Sequence, residues 1–299
     1  LLTGLATLAA CAPPHDEGEP VARSQPLHAA ESPERPAETL AGQLSLELPG
    51  TTLVTPEWSP DGRLLLTRGY HGIGLFAWDL ETGKVRYEDP DHVGAFAFLS
   101  SFEVCTNEGS THESRVHLGS GEAIRTRCSQ QAELDPDYGQ LLRIGDEDVF
   151  FFHPLFGNVT REDSAGVGHV IATNASHAVV SPGEAHVAVT QGPIGESELF
   201  LATRDGASTP VGAGAFPVWI DAHRLLFAEV QFDPEVEGGE AYSSDLFLYD
   251  LGSAKRTRLT ATEDIAEVEP AVSPDGRRVA YADWRSGRVF VTELEEAGR

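Results

Sequence analysis

Trp58-Ser59-Pro60-Asp61-Gly62 returns 214 residues later as Val272-Ser273-Pro274-Asp275-Gly276. Ser at the first turn position, Pro at the second and Gly at the fourth suit a type I turn. An apolar run precedes each copy and another follows it, Arg63-Leu64-Leu65-Leu66-Thr67 and Arg278-Val279-Ala280-Tyr281-Ala282, so each copy reads as a hairpin. Looser copies stand at Val180-Ser181-Pro182-Gly183-Glu184 and Leu134-Asp135-Pro136-Asp137-Tyr138-Gly139. Phe98-Leu99-Ser100-Ser101 and Trp219-Ile220-Asp221-Ala222 fill the two remaining gaps. A third strand carries an aromatic at a matched place (Phe76, Phe200, Phe247 and Phe290), and Phe76 and Phe290 each lie 16 residues past their anchor proline. The mean anchor spacing is about 43 residues, and such periods in turn-rich chains mark solenoids or propellers.

Leu248-Tyr249-Asp250-Leu251, Arg256-Thr257-Arg258-Leu259-Thr260 and Glu269-Pro270-Ala271-Val272-Ser273-Pro274-Asp275-Gly276 together resemble the repeat of TolB-type, WD40-like β-propellers. The resemblance covers residues 43–299 and is strong at the first, fifth and sixth repeats, thin at the second and third. It implies an all-β fold of about six four-stranded blades around an axis. It also implies protein partners, other envelope lipoproteins among them. The amino-terminal domain of TolB has no counterpart here. The sixth repeat stops after its third strand, while Leu44-Ser45-Leu46-Glu47-Leu48 alternates ahead of the first repeat. That segment is predicted to supply the outer strand of the last blade, because ring closure removes exposed edges.

Ahead of the repeats, Leu1 to Ala10 is an apolar run ending in Leu8-Ala9-Ala10-Cys11-Ala12-Pro13. An apolar segment leading to small residues reads as the back half of a secretory signal. With Cys directly after the small residues it resembles the bacterial lipobox, in which Cys11 heads the mature chain and carries the lipid. No Met and no basic segment precede the run, which places the natural start further upstream. Ala12 after the cysteine resembles outer-membrane sorting in enteric bacteria. Residues 12–42, with Pro13, Pro14, Pro20, Pro26, Pro33 and Pro36 among Glu, Ser and Ala, read as a disordered tether. Such a coil spans on the order of 30 Å.

Three cysteines are an odd number for an exported protein. Lipidation of Cys11 leaves Cys105 and Cys128 as a candidate disulfide, closing a loop worth about 3 kcal/mol. Whether the geometry permits that bond is open.

The formal net charge is −26. A chain this acidic is repelled by phosphate backbones, so nucleic acid is excluded as a partner. Anionic membranes repel it too, leaving the lipid as the route to a membrane. A monomer is expected.

No Gly-x-Ser-x-Gly elbow, Walker A or Rossmann glycine pattern occurs, and no cofactor is called for. His112, Glu113 and His117 fail as a zinc site because their offset of five puts the two imidazoles on opposite faces of a strand. An insertion from Gln231 to Ser244 lengthens the fifth repeat. Its Asp233-x-Glu235-x-Glu237-Gly238 echoes a calcium loop, but Ser244 stands where the bidentate Glu belongs.

Tyr70-His71-Gly72, the insertion and Asp283-Trp284-Arg285-Ser286 all join second to third strands, so in a closed ring they share one face. Tyr, Trp and Arg are enriched in binding hot spots. The partner-binding rim is therefore predicted at Tyr70, His71, Asp233, Glu235, Glu237, Trp284 and Arg285, with no catalytic residue and no metal. The reading is a non-catalytic, lipid-anchored scaffold of the envelope that binds a protein. The alternatives are a propeller binding a small molecule, glycan or calcium, and a metal-dependent polysaccharide lyase. Some similar propellers are such lyases, but they use His and acidic ligands for which no convincing set appears.

Overall fold

The computed structural model describes residues 43–93, 96–107, 113–125, 140–144, 148–153, 157–162, 167–183, 185–203, 207–232 and 241–294. They form six four-stranded antiparallel sheets, five of them running in simple chain order. Blade six is completed by β1 (Leu44–Leu46). Blade one holds β2 (Leu53–Trp58), β3 (Leu64–Gly69), β4 (Ile73–Asp79) and β5 (Lys84–Val93). Blade two holds β6 (Phe96–Ser100), β7 (Glu103–Asn107), β8 (Glu113–His117) and β9 (Glu122–Arg125). Blade three holds β10 (Gln140–Ile144), β11 (Asp148–His153), β12 (Asn158–Glu162) and β13 (Gly168–Ala172). Blade four holds β14 (Ala175–Val180), β15 (His186–Gln191), β16 (Glu198–Thr203) and β17 (Ser208–Ala213). Blade five holds β18 (Ala215–Trp219), β19 (Arg224–Phe232), β20 (Ala241–Asp250) and β21 (Lys255–Arg258). Blade six holds β22 (Glu267–Val272), β23 (Arg278–Asp283) and β24 (Val289–Glu293). The chain is an all-β propeller.

The anchor turn explains why these sequences fold into hairpins. In blade one the Gly62 N–H donates to the Ser59 carbonyl at 2.8 Å, and Gly62 takes φ +70°. The buried Ser59 hydroxyl accepts from the Leu64 N–H at 2.9 Å and donates to Asp61 at 2.8 Å. Blade six repeats every bond: Gly276 to Ser273, Arg278 N–H to the Ser273 hydroxyl, Ser273 hydroxyl to Asp275. In blade four Ser181 takes the same role, and in blade five Asp221 accepts the N–H groups of His223 and Arg224. Blade three differs from expectation. Its first strand starts at Gln140 and pairs with β11 from Asp148, so the Pro136 copy does not lie between its first two strands. The Pro136 copy lies outside the described residues.

Closure follows the sequence prediction. Leu44, Ser45 and Leu46 pair antiparallel with Val291, Phe290 and Val289. Leu46 is buried, the Gln43 amide donates to the Tyr281 hydroxyl at 2.6 Å, and Glu47 pairs with Arg288 at 2.6 Å. The expected insertion is shorter than the sequence implied. Gln231 and Phe232 extend β19 and pair with Ser243 and Ala241 of β20, leaving only 233–240 between the strands. Extending the hairpin satisfies backbone groups that a loop would leave to water.

Tryptophans lock consecutive blades. The Trp58 indole donates to the Ala271 carbonyl, and the Trp219 indole donates to Val179. These two carbonyls occupy the same place in their blades, two residues before the anchor. Arg278 and His186 each stand five residues after the anchors of those blades; Arg278 lies over the Trp58 ring, and the His186 ring lies tilted beside Trp219 with centroids 6.5 Å apart.

Candidate functional site

Among the described residues, the ends of the second and third strands of blades four, five, six and one lie next to one another. Blades six and one are tied through the short link into β2. The Leu53 N–H donates to the Gly287 carbonyl at 2.8 Å, and a Cβ on Gly287 would lie 2.9 Å from Thr52. A Cβ on Gly69, beside Tyr70, would meet Thr51 at 3.6 Å. Blade five joins on the other side. Ser244 bridges Ala266, whose carbonyl accepts the Trp284 N–H at 3.0 Å. In blade four, Gly195 lies against Phe232 of blade five. Blades four, five, six and one therefore present one continuous rim.

On that rim Tyr70 and Ile73 are each 50% exposed, two of only four large apolar side chains so open among the described residues. The Tyr70 and His71 rings lie 4.0 Å apart, and His71 holds φ +61° in the turn Tyr70–Gly72. Left-handed φ at a non-glycine residue costs energy and persists only where its surroundings hold it. Ile73, at the start of β4, was not singled out in the sequence; its place beside the Tyr-His pair is the signal that could have marked it. Arg285 is exposed, and its guanidinium donates to the Glu263 carbonyl at 2.6 Å. Trp284 differs from the expected exposed residue. It is half-buried and packs on the core shared by blades five, six and one, because Asp283 caps the turn by accepting from the Arg285 and Ser286 N–H groups. Asp233, Glu235 and Glu237 lie outside the described residues, as do Cys11, Cys128 and His112.

Beneath the rim the inner strands carry a feature that the sequence reading missed. Thr55, Phe216 and Glu269 each take left-handed φ, +51°, +53° and +50°, and each precedes a proline. The residue before proline is normally held in extended conformations. Each marks a bulge, where the ladder shifts between Val54 and Glu57, Ala215 and Val218, and Val268 and Ala271. Each stands four residues before its anchor, and so does His177 in blade four, beside the shift between Ala175 and His177. Equivalent residues touch across blades: the Thr55 N–H donates to Glu269 Oε2 at 2.5 Å, and His177 meets Phe216 edge-on at 4.9 Å. The recurring X-Pro four residues ahead of the anchor proline, Thr55-Pro56 and Glu269-Pro270, was the legible signal.

Charge around this ring is set by burial. Burial pushes the Glu269 carboxyl up, against its hydrogen bonds from Thr55 and the charge of Arg68. Glu57 is pushed up to about 7 by burial, partly offset by Arg68. Burial pushes His177 down, toward the neutral imidazole. Arg68 sits over the Phe96 ring of blade two at 4.7 Å. A second buried carboxyl, Glu267, joins blades five and six. It accepts from the Thr262 hydroxyl at 2.6 Å, and burial pushes it up to about 7.

Other predicted groups have structural roles. His117 ends β8, and its Nδ1 accepts the Gly119 and Ser120 N–H groups, capping a turn as Asp79 does in blade one. Cys105 is buried on β7 and is disulfide-bonded. Among the described residues no group of three His, Cys, Asp or Glu side chains is placed to hold a metal. No helix among them is long and apolar enough to cross a membrane.

No protein-family model matches the chain, and a search of curated proteins finds no match. Solved structures similar to it are of β-propeller type. Kuenenia stuttgartiensis hydrazine synthase shares 15% identity over 79% of this chain and 74% of its own, with a TM-score of 0.45. An oligogalacturonate lyase in complex with manganese shares 16% over 84% and 79%, with a TM-score of 0.39. Tricorn protease shares 15% over 75% of this chain at a TM-score of 0.40, and this chain spans 23% of its length. At these values the likeness concerns the fold alone.

Proposed function

We propose that this propeller is a non-catalytic binding scaffold of the bacterial cell envelope, lipid-anchored through Cys11, and that its rim engages a protein partner. The observation that carries the reading is the rim itself. Tyr70 and Ile73 stand open beside a strained His71, on a face made continuous from blade four to blade one. Exposed aromatic and aliphatic anchors next to polar loops are what protein interfaces use. The disulfide at Cys105 favours an oxidising compartment, where such bonds persist.

The test is affinity capture and cross-linking of the full lipoprotein from detergent-solubilised envelopes, beside the double variant Tyr70→Ala, Ile73→Ala. A stoichiometric protein held by the parent and lost by the variant supports the reading. Recovery of lipid alone from the parent would reject it.

A further inference from the structure

Blade two carries an open cavity that the rim does not use. Its volume is about 290 Å³, and among the described residues it is lined by Glu103, Arg115, His117, Ser120 and Glu122. That size suits one small molecule, at the lower end of the range of about 300–1,000 Å³ for such sites. The ladder explains why these residues meet. Glu103 pairs across from His117 and His117 from Glu122, so the three stand in one row over β7, β8 and β9. Arg115 precedes His117 by two positions on β8 and takes the same face, about 7 Å along the strand. Glu103 opens β7, His117 closes β8 and Glu122 opens β9. The row therefore lies at the end of the blade away from the link between its second and third strands.

The hydrogen bonds of His117 fix its role. Its Nδ1 accepts the Gly119 and Ser120 N–H groups at 3.2 and 3.1 Å. With that lone pair taken, the neutral ring carries its proton on Nε2, which is a donor and not a metal ligand. Arg115 adds a guanidinium, and Glu103 and Glu122 flank these donors with two carboxylates. Opposite charges on one face lie within reach of pairing. Yet Arg115 makes no ion pair within 4 Å to Glu103, Glu122 or any other group among the described residues. A lone anion would meet both carboxylates, and a lone cation would meet Arg115. Only a ligand that carries both signs, a few ångströms apart, uses the whole lining. No aromatic ring among the described lining residues covers the apolar face of a sugar or a base.

We propose that this face of blade two is a binding site for a free amino acid. Arg115 and the His117 Nε2–H hold its carboxylate, and Glu103 and Glu122 hold its ammonium. The site is independent of the rim and of the partner proposed there.

The full chain is titrated with each of the common free amino acids, and NMR follows the His117 ring signals. Each amino acid that binds is tried again as its methyl ester, which lacks the negative charge, and as its N-acetyl form, which lacks the positive one. At least one free amino acid is expected to shift the His117 signals saturably. Its ester and its N-acetyl form are each expected to bind more weakly by about tenfold. Arg115→Gln and Glu103→Gln are each expected to weaken the free amino acid by about the same factor, at parental melting temperature. An ester or N-acetyl form that binds as tightly as the free amino acid overturns the proposal. So does undiminished binding in either variant, or a parent that responds to no free amino acid. The envelope capture is read separately, because Tyr70→Ala, Ile73→Ala leaves the lining residues of this cavity unchanged. Either claim can therefore fail while the other stands.

Discussion

Trp58 donates its indole N–H to the carbonyl of Ala271, 3.1 Å away and 213 residues later in the chain, while Arg278 stacks over its ring at 4.7 Å. The guanidinium of Arg278 also reaches back to the Gly62 carbonyl at 2.7 Å. Trp58 of blade one thus meets both the inner and the second strand of blade six, and Trp219 repeats the hydrogen bond onto Val179 between blades five and four.

Trp58→Phe keeps the ring and loses the hydrogen bond, so it is expected to cost about 1 kcal/mol. Trp58→Ala also removes buried area and is expected to cost about 3–5 kcal/mol. Equilibrium urea unfolding of the two variants checks the order.

The closing strand is three residues long, so its hold depends on few groups. Leu46→Ala is expected to destabilise by about 2–5 kcal/mol, because Leu46 is buried in the core shared by blades one, five and six. Faster hydrogen exchange at β24 than at β19 in this variant would show that the ring opens at the closing blade. Equal exchange would count against it.

Glu267 makes stability depend on pH. Its carboxyl is raised to about 7 in the fold, so the folded chain binds the proton more tightly than the unfolded chain, whose carboxyl titrates near 4.5. The stabilisation is full below about pH 4.5 and fades as pH rises through about 7, by on the order of 3 kcal/mol at most. Glu267→Gln is expected to flatten this slope and to be more stable than the parent at pH 8. Denaturation curves between pH 5 and 8 test the sign.

The anchor turns act in the opposite direction. Asp275 accepts from the Ser273 hydroxyl and the Arg277 N–H, and these bonds hold its carboxyl below the usual range. Its contribution is present above about pH 4 and is lost as pH falls through the lowered value. Ser273→Ala leaves the Arg278 N–H without its acceptor and is expected to cost about 1–2 kcal/mol at neutral pH. The same variant should also lose part of the parent's destabilisation on moving to pH 3, which acid-unfolding curves would show.

Much of the fold was legible because the information is local and repeated. Ser59-Pro60-Asp61-Gly62 and its copies carry their own hydrogen bonds, so the turn, the hairpin and the matched aromatic of the third strand follow from the residues alone. The unpaired alternation at Leu44–Leu48 foretold closure because an open blade edge is costly. In blade three a Pro-Asp pair stood in the right period and misled, since the first two strands begin only at Gln140 and Asp148. The site was less legible. Tyr70 and His71 were found as loop residues of the right type, whereas Trp284 owes its half-buried place to Asp283 capping the turn and to a core assembled from three blades. Ile73 and the bulge ring could not be read, because strand alternation says which face a residue takes but not where a ladder slips.

The sequence by itself determined the repeat, its hairpins and the strand that closes it, since each rests on turn chemistry and side-chain alternation within a few tens of residues. Only the tertiary structure decided what meets across the ring. Glu269 finds Thr55, and Phe216 finds His177, because six sheets packed around one axis place equivalent residues of neighbouring blades side by side, and no local rule encodes that distance.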